Sequence, residues 1–226
     1  LTATSINNLA VLYSKQAQNV EAEPLYLEAL GIFRNVLGKE HPEYALCLAN
    51  LAALYSDQSE YSKAEPLFIE ALKVQKKLLG DKHLKTIVSL SKLASLYSAQ
   101  AQYGKAEPLF IEVLKVQREI LGNKHTDTAT SINNLAMLYF KQGQYSKAEP
   151  LFIEMLEILR EIPGNNQPLT ATSINNLAVL YSKQAQYAKA EPLFVEALKI
   201  RREILGSKHP DTATGINNLA SLYFDQ

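Results

Sequence analysis

Thiol chemistry is almost absent from this sequence. Its one cysteine, Cys47, cannot close a disulfide within the chain, and a reducing, cytoplasmic compartment is the simplest reading. Charge of one sign is scarce too. Lys+Arg and Asp+Glu both number 23, so the net charge is zero, which argues against the basic stripe of a phosphate-dominated nucleic-acid binder. No apolar run approaches the roughly 18 residues of a membrane span, and no signal-peptide pattern is found. Phosphate-loop, dinucleotide-binding and serine-elbow motifs are missing. His41, His83, His125 and His209 recur because their loop recurs, without the close ligand spacing of a zinc site. The reading is of a non-enzyme with no cofactor and no metal. At 47% hydrophobic and 20% charged residues, the chain is nevertheless not disordered.

What is present is a period. Asn7-Asn8-Leu9-Ala10-Val11-Leu12-Tyr13 returns at residues 49–55, 91–97, 133–139, 175–181 and 217–223, a strict interval of 42 residues with no insertion or deletion. Such self-similarity marks an array whose core is a seam between neighbours, not a central globule. The repeats fall at 1–42, 43–84, 85–126, 127–168 and 169–210, with the first helix of a sixth at 211–226. Residues 1–18 and 169–186 are identical, which points to duplication of a four-repeat block. Both ends fall inside repeats, so the expectation is a single array cut from a longer protein, with uncapped apolar ends that can associate end to end.

Each repeat reads as two helices. In the second, Leu48, Leu51, Ala52 and Tyr55 follow helical spacing and predict a first helix over 42–57. A polar break at Gln58-Ser59-Glu60 precedes a second helix through Leu79, whose apolar face is Ala64, Leu67, Phe68, Ala71, Leu72 and Leu78. Pro66 sits early in that helix, where a missing N–H costs least. Gly80 is placed to cap its end in the left-handed conformation. The connection Lys39-Glu40-His41-Pro42 is respelled at 81–84, 123–126 and 207–210. At 162–168 a proline-containing stretch replaces it, and an altered turn is expected there. One glutamate per repeat on the second helix, as in Glu70–Lys73 and Glu112–Lys115, reads as an i, i+3 surface pair.

The spacing of Leu9, Ala10, Tyr13, Ala22, Tyr26 and Ala29, and of Leu51, Ala52, Tyr55, Ala64, Phe68 and Ala71, resembles the tetratricopeptide repeat; Met155 replaces the last alanine in the fourth copy. The 42-residue length, the N-N-L-A-x-L-Y opening and the L-G-x-x-H-P close are similar to the kinesin light chain type. Repeats this alike suggest a prokaryotic array. The resemblance implies an all-α, right-handed superhelical solenoid of antiparallel helix pairs. It also implies that the first helices line a concave groove that receives a peptide segment of a partner protein.

With Leu9, Ala10 and Tyr13 in the core, the opposite face of the first helix carries Asn7, Asn8, Val11 and Lys15. The candidate groove set is Asn7, Asn8, Lys15, Asn50, Lys92, Asn133, Asn134, Met137, Phe140, Lys141, Asn175, Asn176, Val179, Lys183, Asn217 and Asn218. Asparagine amides suit a peptide backbone, having both donors and an acceptor. The first asparagine of each pair is expected in the groove; the second is balanced between groove and scaffold. Lys15, Lys92, Lys141 and Lys183 against Asp57 and Asp225 leave the face mildly basic and suit a mildly acidic peptide, or are ordinary solvated charges. Phe140 and Phe224 either anchor a ligand or pack on the next repeat. The competing reading is a spacer or self-association scaffold within a larger signalling protein.

Overall fold

The computed structural model describes residues 2–162 and 167–225. Among them are eleven helices and no strand. First helices are α1 (Ala3–Lys15), α3 (Pro42–Asp57), α5 (Leu84–Ala99), α7 (Thr126–Lys141), α9 (Gln167–Lys183) and α11 (Pro210–Asp225). Second helices are α2 (Asn19–Val36), α4 (Tyr61–Leu79), α6 (Tyr103–Leu121), α8 (Tyr145–Glu161) and α10 (Tyr187–Leu205). The chain divides into two compact halves, residues 1–116 and 117–226, with the division inside α6. Within each half a second helix packs on the first helix of its own repeat and on that of the next, as α4 does on α3 and α5, and α8 on α7 and α9. That nearest-neighbour stacking is the all-α repeat solenoid.

The crossings are built on residues small enough to let backbones approach. Ala52, Ala94, Ala136 and Ala178 of the first helices are fully buried, as are Ala64, Ala106, Ala148 and Ala190 of the second. Phe68 and Phe152 fill the space between them, each contributing about 1.5–3 kcal/mol by burial. The alanine after this phenylalanine gives way to Val113 and Met155, both fully buried, so the seam absorbs larger side chains.

Two local devices set the helix ends. His41, His83, His125 and His209 are N-caps whose Nδ1 accepts from the backbone N–H two residues on, at 3.1–3.2 Å; this gives the recurring loop histidine its function. The first helices α1, α3, α5, α7 and α9 close in a Schellman motif: in the second repeat Glu60 N–H donates to Tyr55 C=O at 2.8 Å and Ser59 N–H to Ser56 C=O at 3.0 Å. The motif requires positive φ at Ala17, Ser59, Ala101, Gly143 and Ala185. Only Gly143 is the residue type that takes it without strain.

Some expectations are corrected. Leu78 is exposed and Leu67 only half-buried, whereas Val74 and Gln75 are buried, because α4 turns that stripe toward α5. Pro66 is the sixth residue of α4, beyond the free first turn; it leaves the carbonyl of Ser62 without an intrahelical donor, at an exposed place where water can serve. Gly80 has φ 89° and ψ 165°, the extended positive-φ region that is glycine's own, not the left-handed helical one. The outer glutamates pair across helices: Arg118–Glu154 at 2.6 Å, Arg160–Glu196 at 3.0 Å, Lys76–Glu112 at 3.7 Å, while Glu70 accepts from Tyr44 at 3.0 Å. The turn expected at 163–166 lies outside the described residues.

Candidate functional site

Stacking brings the seventh residue of one repeat beside the eighth of the next. Asn50 Nδ2 donates to Asn7 Oδ1 at 3.3 Å, Asn176 Nδ2 to Asn133 Oδ1 at 3.0 Å, and Asn218 Nδ2 to Asn175 Oδ1 at 2.9 Å. These are rungs of an amide ladder across α1–α3, α7–α9 and α9–α11. The first asparagine is therefore not the freer of the two: Asn7 and Asn175 are buried, at 4% and 8% exposure. Asn133 is half-buried. A buried amide oxygen must find a donor, and the neighbouring repeat supplies it. The second asparagines Asn50, Asn134, Asn176 and Asn218 are half-buried, and Asn8 and Asn217 are exposed.

A second ladder lies beside it. Tyr55 donates to Glu23 at 2.7 Å, Tyr97 to Glu65 at 2.9 Å, Tyr181 to Glu149 at 3.1 Å and Tyr223 to Glu191 at 2.8 Å. Lys63, Lys105, Lys147 and Lys189 sit about 5 Å over the rings of Tyr55, Tyr97, Tyr139 and Tyr181. Burial, with the carboxylate alongside, holds the hydroxyls of Tyr55 and Tyr97 up at about 12. The sequence shows the tyrosine, the glutamate and the lysine as separate periodic positions; nothing in it says that they meet.

The remaining candidates divide. Lys15, Lys141 and Lys183 are exposed; Met137 and Val179 are half-buried on the same face. Phe140 packs at 5.5 Å, tilted, on Tyr145 at the start of α8, within its own repeat and not on the next one. Phe224 is 91% exposed. Cys47 is fully buried, its Sγ–H donating to Tyr26 C=O at 3.5 Å, and burial pushes the thiol up to about 12. That is a packing residue, not a nucleophile.

Lys92 differs from all of these. It takes the place of the second asparagine, and the residue opposite it, 43 positions earlier, is Ala49, which has no side-chain acceptor. The rung between α3 and α5 is missing, and a cavity of about 200 Å³ opens there. Leu46, Leu84 and Val88 wall it, Gln75 reaches it from α4, and Lys85 and Lys92 edge it. Lys92 is half-buried, and desolvation lowers its ammonium below the ordinary lysine range, an effect that the field of Asp57 only partly offsets. Among the described residues no ion pair holds Lys92. No three residues of the histidine, cysteine, aspartate and glutamate set cluster among the described residues as metal ligands would, and no described helix is long and apolar enough to cross a membrane.

The tetratricopeptide repeat profile matches residues 1–77, 52–119, 90–161, 127–203 and 169–226. No curated protein matches the chain in sequence. Among solved structures, BtubC (BKLC) from P. vanneervenii is similar at TM-score 0.78 and 26% identity, over 91% of this chain and 81% of that one. A putative kinesin light chain of Podosopora anserina, with nearly identical TPR-like repeats, is similar at TM-score 0.75 and 26% identity, over 89% and 96%. A Rap protein complexed with competence and sporulation factor shares the fold at TM-score 0.73 and 18% identity, over 96% and 64%. With stacked helix pairs, a 42-residue period and a profile that matches from end to end, the chain belongs to the tetratricopeptide repeat family.

Proposed function

We propose that the chain is a protein-interaction module, not an enzyme, and that its first helices form a groove that holds a peptide segment of a partner. Tetratricopeptide repeats generally mediate protein–protein interaction. One observation carries the finer reading: half-buried amides recur at one position on successive first helices, oriented by the ladder. Asn176 uses one N–H on Asn133, which leaves it a second N–H and its oxygen for a ligand backbone. A row of fixed donors and acceptors loses little conformational entropy on binding. The Rap structure, which shares the fold and has competence and sporulation factor bound, supports a ligand-holding role. We further propose a single array over 1–226 and a reducing, cytoplasmic setting for the buried thiol of Cys47.

The test is selection of a random dodecapeptide display library on the full chain, followed by hydrogen-exchange mapping of the strongest binder. Protection is expected on exposed amides of the loops and helix ends that flank the first helices. Protection confined to the second helices refutes the groove.

A further inference from the structure

The array is most regular where it is scaffold, and its one described break within a half is where a ligand has something to gain. We propose that the gap between α3 and α5 is the specificity pocket of the chain, taking an aliphatic side chain of a partner peptide together with an adjacent acidic side chain whose carboxylate pairs with Lys92. The inference rests on the groove reading above and names the residues that the groove selects.

Four features converge on that occupant. Leu84 and Val88 are 44% and 52% exposed beside the cavity, so aliphatic contact removes their surface from water. The cavity, at about 200 Å³, is smaller than the ~300–1,000 Å³ of sites that enclose a drug-sized molecule; it suits one or two side chains. Lys92 is desolvated and has no ion-pair partner among the described residues, and Lys85 adds a second positive charge at the rim. Its electrostatic complement is a single carboxylate, and the apolar walls do not suit the repeated charge of a nucleic-acid backbone.

The fourth feature is independent of charge. Gln75 is 2% exposed, lines the cavity, and has no partner for its Oε1. Buried amide oxygens are ordinarily bonded, and a backbone N–H of the bound segment is the donor it lacks. The same place is held by Phe33, Gln117, Leu159 and Arg201 in the other repeats, so packing does not require an amide there. Lys92 is likewise the only residue other than asparagine at its position. Gln117 repeats the buried, unpartnered amide in the next repeat, so the departure peculiar to this gap is Lys92, with Gln75 beside it as a donor-seeking wall.

The experiment uses the same dodecapeptide library on the full chain, on Lys92→Asn and on Gln75→Leu, substitutions to residues that other repeats already carry at these places. The wild-type chain is expected to enrich peptides with Glu or Asp next to Leu, Ile or Val. In fluorescence anisotropy, Glu→Gln in the best such peptide should weaken binding to the wild type about 10-fold or more. It should change binding to Lys92→Asn less than about twofold, the two proteins melting alike or the variant higher. Gln75→Leu should weaken the peptide without altering its preference for the acid. Enriched peptides that lack the acid, or that bind Lys92→Asn as tightly as the wild type, overturn the pocket while the groove stands. No enrichment over uncoated support overturns both.

Discussion

The missing rung makes a quantitative prediction about stability. Replacing Ala49 and Lys92 together by asparagine rebuilds between α3 and α5 the contact already made by Asn7 with Asn50 at 3.3 Å and by Asn133 with Asn176 at 3.0 Å. A net intramolecular hydrogen bond contributes about 0.5–1.5 kcal/mol, and removing a desolvated ammonium with no ion pair adds to that. Neither single variant forms the bond. Lys92→Asn alone leaves its amide facing Ala49, and Ala49→Asn alone sets its oxygen against a side chain that can reach other places. A double-mutant cycle therefore isolates the rung, with an expected coupling of about 1 kcal/mol. The assay is urea unfolding followed by circular dichroism, with each variant fitted for slope as well as midpoint, because a repeat array need not unfold in one step. The double variant should unfold at higher urea and lose acidic-peptide binding, stability rising as function falls. Coupling indistinguishable from zero, with the slopes unchanged, would refute the claim that the ladder holds the stack.

Other perturbations follow from the same geometry. Ala185→Gly relieves a positive φ of 56° and should stabilise the chain by about 1 kcal/mol, whereas Gly143→Ala should cost about as much; denaturant midpoints read both. His83→Ala removes the acceptor for Lys85 N–H and should cost about 1 kcal/mol, with His83→Asn restoring most of it in the same titration. Tyr55 and Tyr97 are held at about 12 in the fold against about 10 in the unfolded chain. The unfolded state thus releases these protons first, and stability should be intact below about pH 10 and fall as the pH rises toward 12. Tyrosinate absorbance during an alkaline titration checks this, and Tyr55→Phe with Tyr97→Phe should flatten the decline.

Much of the fold is legible in one sequence because its signals are local. Helical spacing, the break at 58–60 and Gly80 place α3 at Pro42–Asp57 and α4 at Tyr61–Leu79, the bounds that the structure has. Periodicity likewise shows that Ala52, Ala64 and Phe68 are core. It cannot say which neighbour a polar residue faces. Asn7 and Asn8 are adjacent on one helix surface, yet the first is buried and the second exposed, because the next repeat covers only one of them.

Contacts between residues 43 or 32 positions apart, the amide rungs and the tyrosine–glutamate pairs, exist only once helices from successive repeats lie side by side. For the same reason Lys92 reads in the sequence as one more surface lysine. Its significance comes from Ala49 opposite and Gln75 beneath, both brought to it by stacking. The sequence by itself determined the repeat, the helix pairs and their seam, since a 42-residue period and a helical apolar stripe are properties of the chain alone. Tertiary structure decided which polar side chains are bound to one another and which lysine is desolvated, since that depends on the register of one helix pair against the next.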